Sequence, residues 1–82
     1  MIVIAKDLEI RGKEQKTSSK TGIDYIVVRV EDETGKATEL LDRNLENFDK
    51  YKRGKIADFT LNLDISSKYT NISVRDFTIK TE

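Results

Sequence analysis

Two short stretches gather the side chains that could do chemistry. "KTSSKTGIDY", residues 16 to 25, sets Lys16 and Lys20 among the hydroxyls of Thr17, Ser18, Ser19 and Thr21, then a glycine, then Tyr25 at the head of the most apolar run. "SSKYTN", residues 66 to 71, repeats the pairing with Lys68 beside Tyr69. Arg29 follows on the run that Tyr25 opens, and "YKRGK" at 51 to 55 adds Lys52 and Arg53. Cations suit phosphate oxygens and flat rings suit unpaired bases, a stacked base being worth about 1–3 kcal/mol. The small hydroxyls can donate to phosphate, and Gly22 lets a backbone come close. Each group also has a plainer reading. Tyr25 could be a half-buried ring at the end of a sheet, Lys16 and Lys20 solvated loop charges, 51 to 55 a basic helix end complementing its dipole, and Tyr69 a contact to a partner subunit.

The residue types that are missing exclude a good deal. The chain has 82 residues, enough for one domain (1–82) with a modest core, and neither cysteine nor histidine. Disulfides, ordinary zinc sites and Ser-His or Cys-His nucleophiles are out of reach, so no enzyme and no cofactor is expected. Glu31, Asp32 and Glu33 lack EF-hand spacing and alternate in direction; they read as a solvated hairpin, and no metal is expected. The apolar opening Met-Ile-Val-Ile stops at Lys6 and Asp7, too soon for a signal core or a membrane span. With no thiols, that reads as a cytoplasmic protein with no membrane partner.

Net charge is zero, which argues against binding polyanions through bulk charge. Its distribution is uneven. Residues 11 to 29 hold five cations (Arg11, Lys13, Lys16, Lys20, Arg29) against Glu14 and Asp24, whereas 31 to 49 hold seven carboxylates against Lys36 and Arg43. Separate basic and acidic surfaces follow from such alternation, as does an ordinary mixed surface.

The elements that must position these groups are strands. Ile2, Ile4, Leu8 and Ile10 alternate with polar residues, and Gly12 marks a bulge that lets one strand serve two sides of a small barrel. "DYIVVRVE" is the clearest strand, with Ile26, Val28 and Val30 on the core face and Tyr25, Val27, Arg29 and Glu31 on the other. "DETG" makes a hairpin turn with Gly35 at positive φ, and a third strand runs roughly from Lys36 to Asp42. Leu45, Phe48 and Tyr51 recur at spacing three behind Asn44, a candidate helix cap. "KIADFTLNLDI" alternates again, Ala57, Phe59, Leu61, Leu63 and Ile65 inward. In "NISVRDFTIK" the parity changes, which predicts a bulge near Arg75 or Asp76. The expected fold is all-β: a five-stranded OB-fold, a Greek-key barrel with a short helix or loop between strands three and four. An SH3-like barrel also has five strands but usually places its long loop early.

Two motifs then carry a family likeness. "SKTGIDY" (19 to 25) resembles the serine, basic residue, spacer, glycine, two spacers and tyrosine of the small single-stranded DNA-binding proteins of phages and plasmids, most closely the gene V proteins of filamentous phages. "YKRG" (51 to 54) is similar to that family's tyrosine, two spacers and glycine before the fourth strand, and "SSKYTN" falls where it carries an aromatic-tipped hairpin. The resemblance implies a homodimeric OB-fold in the host cytoplasm, coating single-stranded DNA during phage or mobile-element replication with little sequence preference; whether RNA is bound as well is left open by the sequence. It implies Lys20 as a phosphate contact, Tyr25 as the strand-two aromatic and Tyr69 as the ring that meets the next dimer. With the residues read above, the nucleic-acid-binding set is Lys16, Lys20, Tyr25, Arg29, Lys52, Arg53, Lys68 and Tyr69. The alternative is an OB-fold protein-interaction adaptor that binds no nucleic acid. Asp58 and Asp64 depart from the pattern, since outward carboxylates on strand four would repel a phosphate backbone sharing their groove.

Overall fold

The alternation of Ile26, Val28 and Val30 builds one face of a strand, Asp24–Glu31 (β2), and buries all three. The computed structural model describes residues 1–65 and 70–80, and the chain is all-β. Around β2 stand Ile2–Thr17 (β1), Ala37–Asp42 (β3), Ile56–Ile65 (β4) and Thr70–Ile79 (β5), with a 3-10 helix, Leu45–Lys50, between β3 and β4. The strands form one sheet that closes on itself in the order β1, β2, β3, β5, β4. Neighbours are antiparallel except β3 and β5, which run parallel and touch at Leu41 and Ser73. Inside lie Ile10, Ile26, Val28, Val30, Leu40, Tyr51, Ala57, Phe59 and Leu61, with Phe48, Val74, Phe77 and Ile79 packed against them.

β1 closes the ring because it pairs twice. Residues from Glu9 onward lie along β2, and Ile2 to Glu9 lie along β4. One register shift falls between Ile10 and Gly12, as the glycine predicts. A second, between Ala5 and Leu8, corrects the sequence reading. Asp7 there adopts φ 59°, a left-handed conformation that Asp tolerates better than most residues, and its N–H donates to Asp58 Oδ1 at 3.0 Å. Lys80 bonds to Asp7 and reaches Asp58 at 3.8 Å. This bulge reverses parity. Ile2 and Ile4 stand opposite Asn62 and Thr60 on the outer face, while Val3 and Ala5 stand opposite Leu61 and Phe59 on the inner one.

Other expectations fare better. Phe59 opposes Phe77 and Leu61 opposes Val74, so Arg75 is the extra residue of the β5 bulge. Gly35 has φ 88° in the β2–β3 turn. The Asn44 side chain accepts from Glu46 N, and the spacing of three in "LENF" and beyond is the period of a 3-10 helix. Ile65, read as inward, is exposed. It lies past the last β1 partner, and among the described residues its ladder partner is Thr70 of β5. No described helix is long and apolar enough to cross a membrane.

A buried carboxylate fixes the 3-10 helix to the ring. Asp42 takes an inward position opposite Ile26 at the end of β3 and accepts three bonds: Asn44 N at 2.9 Å, Asn47 Nδ2 at 2.9 Å and the Tyr51 hydroxyl at 2.5 Å. A buried acceptor needs such donors. The Tyr51 ring stacks on Phe77 with centroids 4.5 Å apart. Burial, and then the bond to Asp42, push the Tyr51 phenol well above its ordinary pKa.

Candidate nucleic-acid interface

The outer face of β1, β2 and β3 is set by pairing. Lys16 stands opposite Tyr25, Glu14 opposite Val27 and Gly12 opposite Arg29 on one side of β2. On the other side Leu41 opposes Val27 and Glu39 opposes Arg29. The ladder ends at Ile26 and Asp42, and Arg43, the residue after β3, lines the same pocket as Tyr25. Ser18, Thr21, Tyr25, Leu41 and Arg43 line one pocket there, with the half-buried Tyr25 ring in its wall. The loop that supplies Ser18 and Thr21 is closed by Ser18 N to Ile23 O at 3.0 Å and Gly22 N to Ser18 O at 2.9 Å.

Carboxylates temper this face. Asp24 borders the Tyr25 pocket, but it alternates with Tyr25 along β2 and its carboxylate turns to the other side of the sheet, accepting from Thr17 Oγ1 at 2.6 Å and Gln15 Nε2 at 2.9 Å. The Thr17 hydroxyl, then the Gln15 amide, hold its pKa below the ordinary aspartate value. Arg29 lies 3.6 Å from Glu39, and Lys16 is 4.0 Å from Glu14. Exposed pairs of this kind contribute about 0–1 kcal/mol, so these carboxylates compete only weakly with an incoming phosphate. Arg11 is held more firmly, 2.8 Å from Glu9 and 3.5 Å from Glu31, and its pKa is raised first by the hydrogen bond to Glu9.

The predicted residues therefore divide. Lys16, Tyr25 and Arg29 share the outer β1–β2–β3 face, and Lys20 is exposed in the loop beside it. Lys52 belongs elsewhere: with Lys50 and Lys55 it rims a cleft floored by Phe77 and Ile79, which shares no lining residue with the Tyr25 pocket. Arg53 is exposed in the turn after the 3-10 helix. Lys68 and Tyr69 lie outside the described residues. Lys13 is committed to structure, its Nζ donating to Phe48 O at 2.6 Å and standing 4.1 Å from the centre of that ring. Asp58 is engaged with the β1 bulge, on the side of the ring formed by β4 and the first half of β1, apart from Tyr25.

Sequence reasoning missed Arg43, Lys50 and Lys55. Arg43 looked like the start of a helix, and only the fold brings it to the pocket that Tyr25 lines. Among the described residues none of these three cations makes an ion pair. Among the described residues, too, no cluster of acidic side chains is placed to hold a metal ion. Compared with protein-family models, with curated proteins and with solved structures, the chain matches none of them.

Proposed function

We propose that this chain is a single-stranded DNA-binding protein on an OB-fold, acting as a homodimer that coats replication intermediates of a phage or mobile element. The ring order β1, β2, β3, β5, β4 supports the fold assignment, since oligonucleotides meet OB-folds on strands two and three and the loops beside them. One observation carries the functional reading: on the outer face Tyr25 stands opposite Lys16 of β1 and shares a pocket with Arg43, which places an aromatic residue and two cations in one neighbourhood. A base stacks on Tyr25 while Lys16 and Arg43 take nearby phosphates. Arg29 extends the path along β2 once it leaves Glu39, and Lys20 reaches in from the loop. Electrophoretic titration against single-stranded and duplex DNA tests this. Retardation of the single strand at much lower protein concentration is expected; equal retardation of both, or of neither, contradicts it.

A protein-interaction adaptor is the second reading, and the carboxylates favour it, since Glu14 and Glu39 stand against Lys16 and Arg29 on this face. An adaptor of that kind retards no oligonucleotide at any salt concentration.

A further inference from the structure

Among the described residues, residues 2 to 7 of β1 have a strand partner along one edge only. β4 occupies that edge and pairing with β2 begins at Glu9, so among the described residues no strand lies along the other. The ladder determines which backbone groups face it. Met1 and Leu63 exchange both bonds, the Met1 ammonium donating to Leu63 O at 3.2 Å and Leu63 N to Met1 O at 2.7 Å. Opposed residues in an antiparallel ladder alternate between bonded and unbonded pairs. Val3 with Leu61 and Ala5 with Phe59 are thus bonded, whereas Ile2 with Asn62 and Ile4 with Thr60 are not. The N–H and C=O groups of Ile2 and Ile4 therefore point into the open edge.

The side chains on this edge are apolar and outside. Ile2 is 55% exposed and Ile4 65%, on the outer face to which the Asp7 bulge turns them. Monomeric proteins guard such an edge with charge, proline or a bulge that twists it away. Here the chain has no proline, and charge and bulge come only at Lys6 and Asp7, past the exposed Ile2 and Ile4.

We propose that a second copy of this chain covers the edge, β1 pairing antiparallel with β1 about a two-fold axis beside Val3. Ile2 of one copy then faces Ile4 of the other, and both pairs are of the bonded kind, so the edge is its own complement and the contact closes after two copies. The same two pairs bring their side chains together on the outer face, where cross-strand apolar contacts stabilise a sheet. This deepens the homodimer reading and rests on it alone, not on nucleic-acid binding.

Sedimentation equilibrium over a concentration series, without nucleic acid, tests it together with exchange of the Ile4 amide. The wild-type chain should reach twice the monomer mass, with the Ile4 amide exchanging about tenfold more slowly or better in the dimer than on dilution. Ile4→Pro deletes an N–H that no bond among the described residues uses and should leave a folded monomer. Should that variant fail to fold, Ile4→Lys keeps the N–H, places a charge on the edge and should halve the mass as well. A wild-type monomer at every concentration, a dimer indifferent to a folded edge variant, or a dimer whose Ile4 amide exchanges at the monomer rate overturns the proposal. Oligo(dT) binding by the same samples separates the two readings. A β1-edge dimer that binds no oligonucleotide sinks the nucleic-acid function and upholds the interface; a wild-type monomer that binds does the reverse.

Discussion

Replacing Tyr25 with alanine removes the aromatic residue that stands opposite Lys16 and lines a pocket with Arg43, and leaves the inward row Ile26, Val28 and Val30 in place. Loss of one stacked base should weaken oligo(dT) binding by about 1–3 kcal/mol while the urea midpoint moves little, a separation that fluorescence anisotropy and chemical denaturation together can read. Arg43→Ala acts on a phosphate instead. It should shallow the slope of log affinity against log salt by about 0.7, the share of one neutralised phosphate on a single strand. Asp24 works against both, since its carboxylate stays ionised beside the same pocket. Asp24→Asn keeps an acceptor for Thr17 and removes the charge, so affinity should rise, measured in the same titration.

At the scale of elements, two junctions carry the geometry. Gly54 sits at φ 89°, with open space where a Cβ would stand, and its N–H reaches Ile10 O at 2.8 Å to bring the start of β4 against β1. Gly54→Ala meets no clash, only the left-handed backbone, and should lower stability by about 1–2 kcal/mol in urea unfolding. Tyr51→Phe keeps the ring stack and deletes one of three donors to the buried Asp42. The expected loss is about 1–3 kcal/mol by the same measurement. Much of this level was legible in the chain. The β2 alternation, Gly12, the parity change around Arg75 and the Asn44 cap each express a local rule, so they could be read without the fold. The first half of β1 was misread because alternation was carried unbroken from Ile2 to Ile10. That reading turns Lys6 inward, a cost burial would not tolerate, and the sign of a break lay there, next to an aspartate that accepts positive φ. The placement of Arg43 at the Tyr25 pocket and the inward Asp42 depend on how distant strands come together, which no local pattern contains.

For the molecule as a whole, pH links charge to stability. Asp24, held low first by Thr17, and Asp32, held low first by the Thr34 hydroxyl and then by Lys36 N–H, bind protons less readily folded than unfolded. Their contribution is therefore complete above the ordinary value of 3.8 and lost as pH falls through the lowered folded values. Tyr51 behaves oppositely. Its raised phenol contributes fully below the ordinary value of 10 and loses that contribution as pH climbs past it. With no histidine in the chain, urea midpoints should be level between about pH 5 and 9 and fall on both sides; Tyr51→Phe should flatten the alkaline limb.

Zero net charge makes local placement the decisive matter for function. Tyrosine emission read while oligo(dT) is titrated into a Tyr69→Phe background tests that most directly, because the remaining rings are Tyr25 and the buried Tyr51. Quenching that saturates with the oligonucleotide, weakens steeply with salt, and disappears when Tyr25 is also changed to phenylalanine is the predicted result. Unchanged emission with oligonucleotide bound, or no binding at low salt, would contradict it.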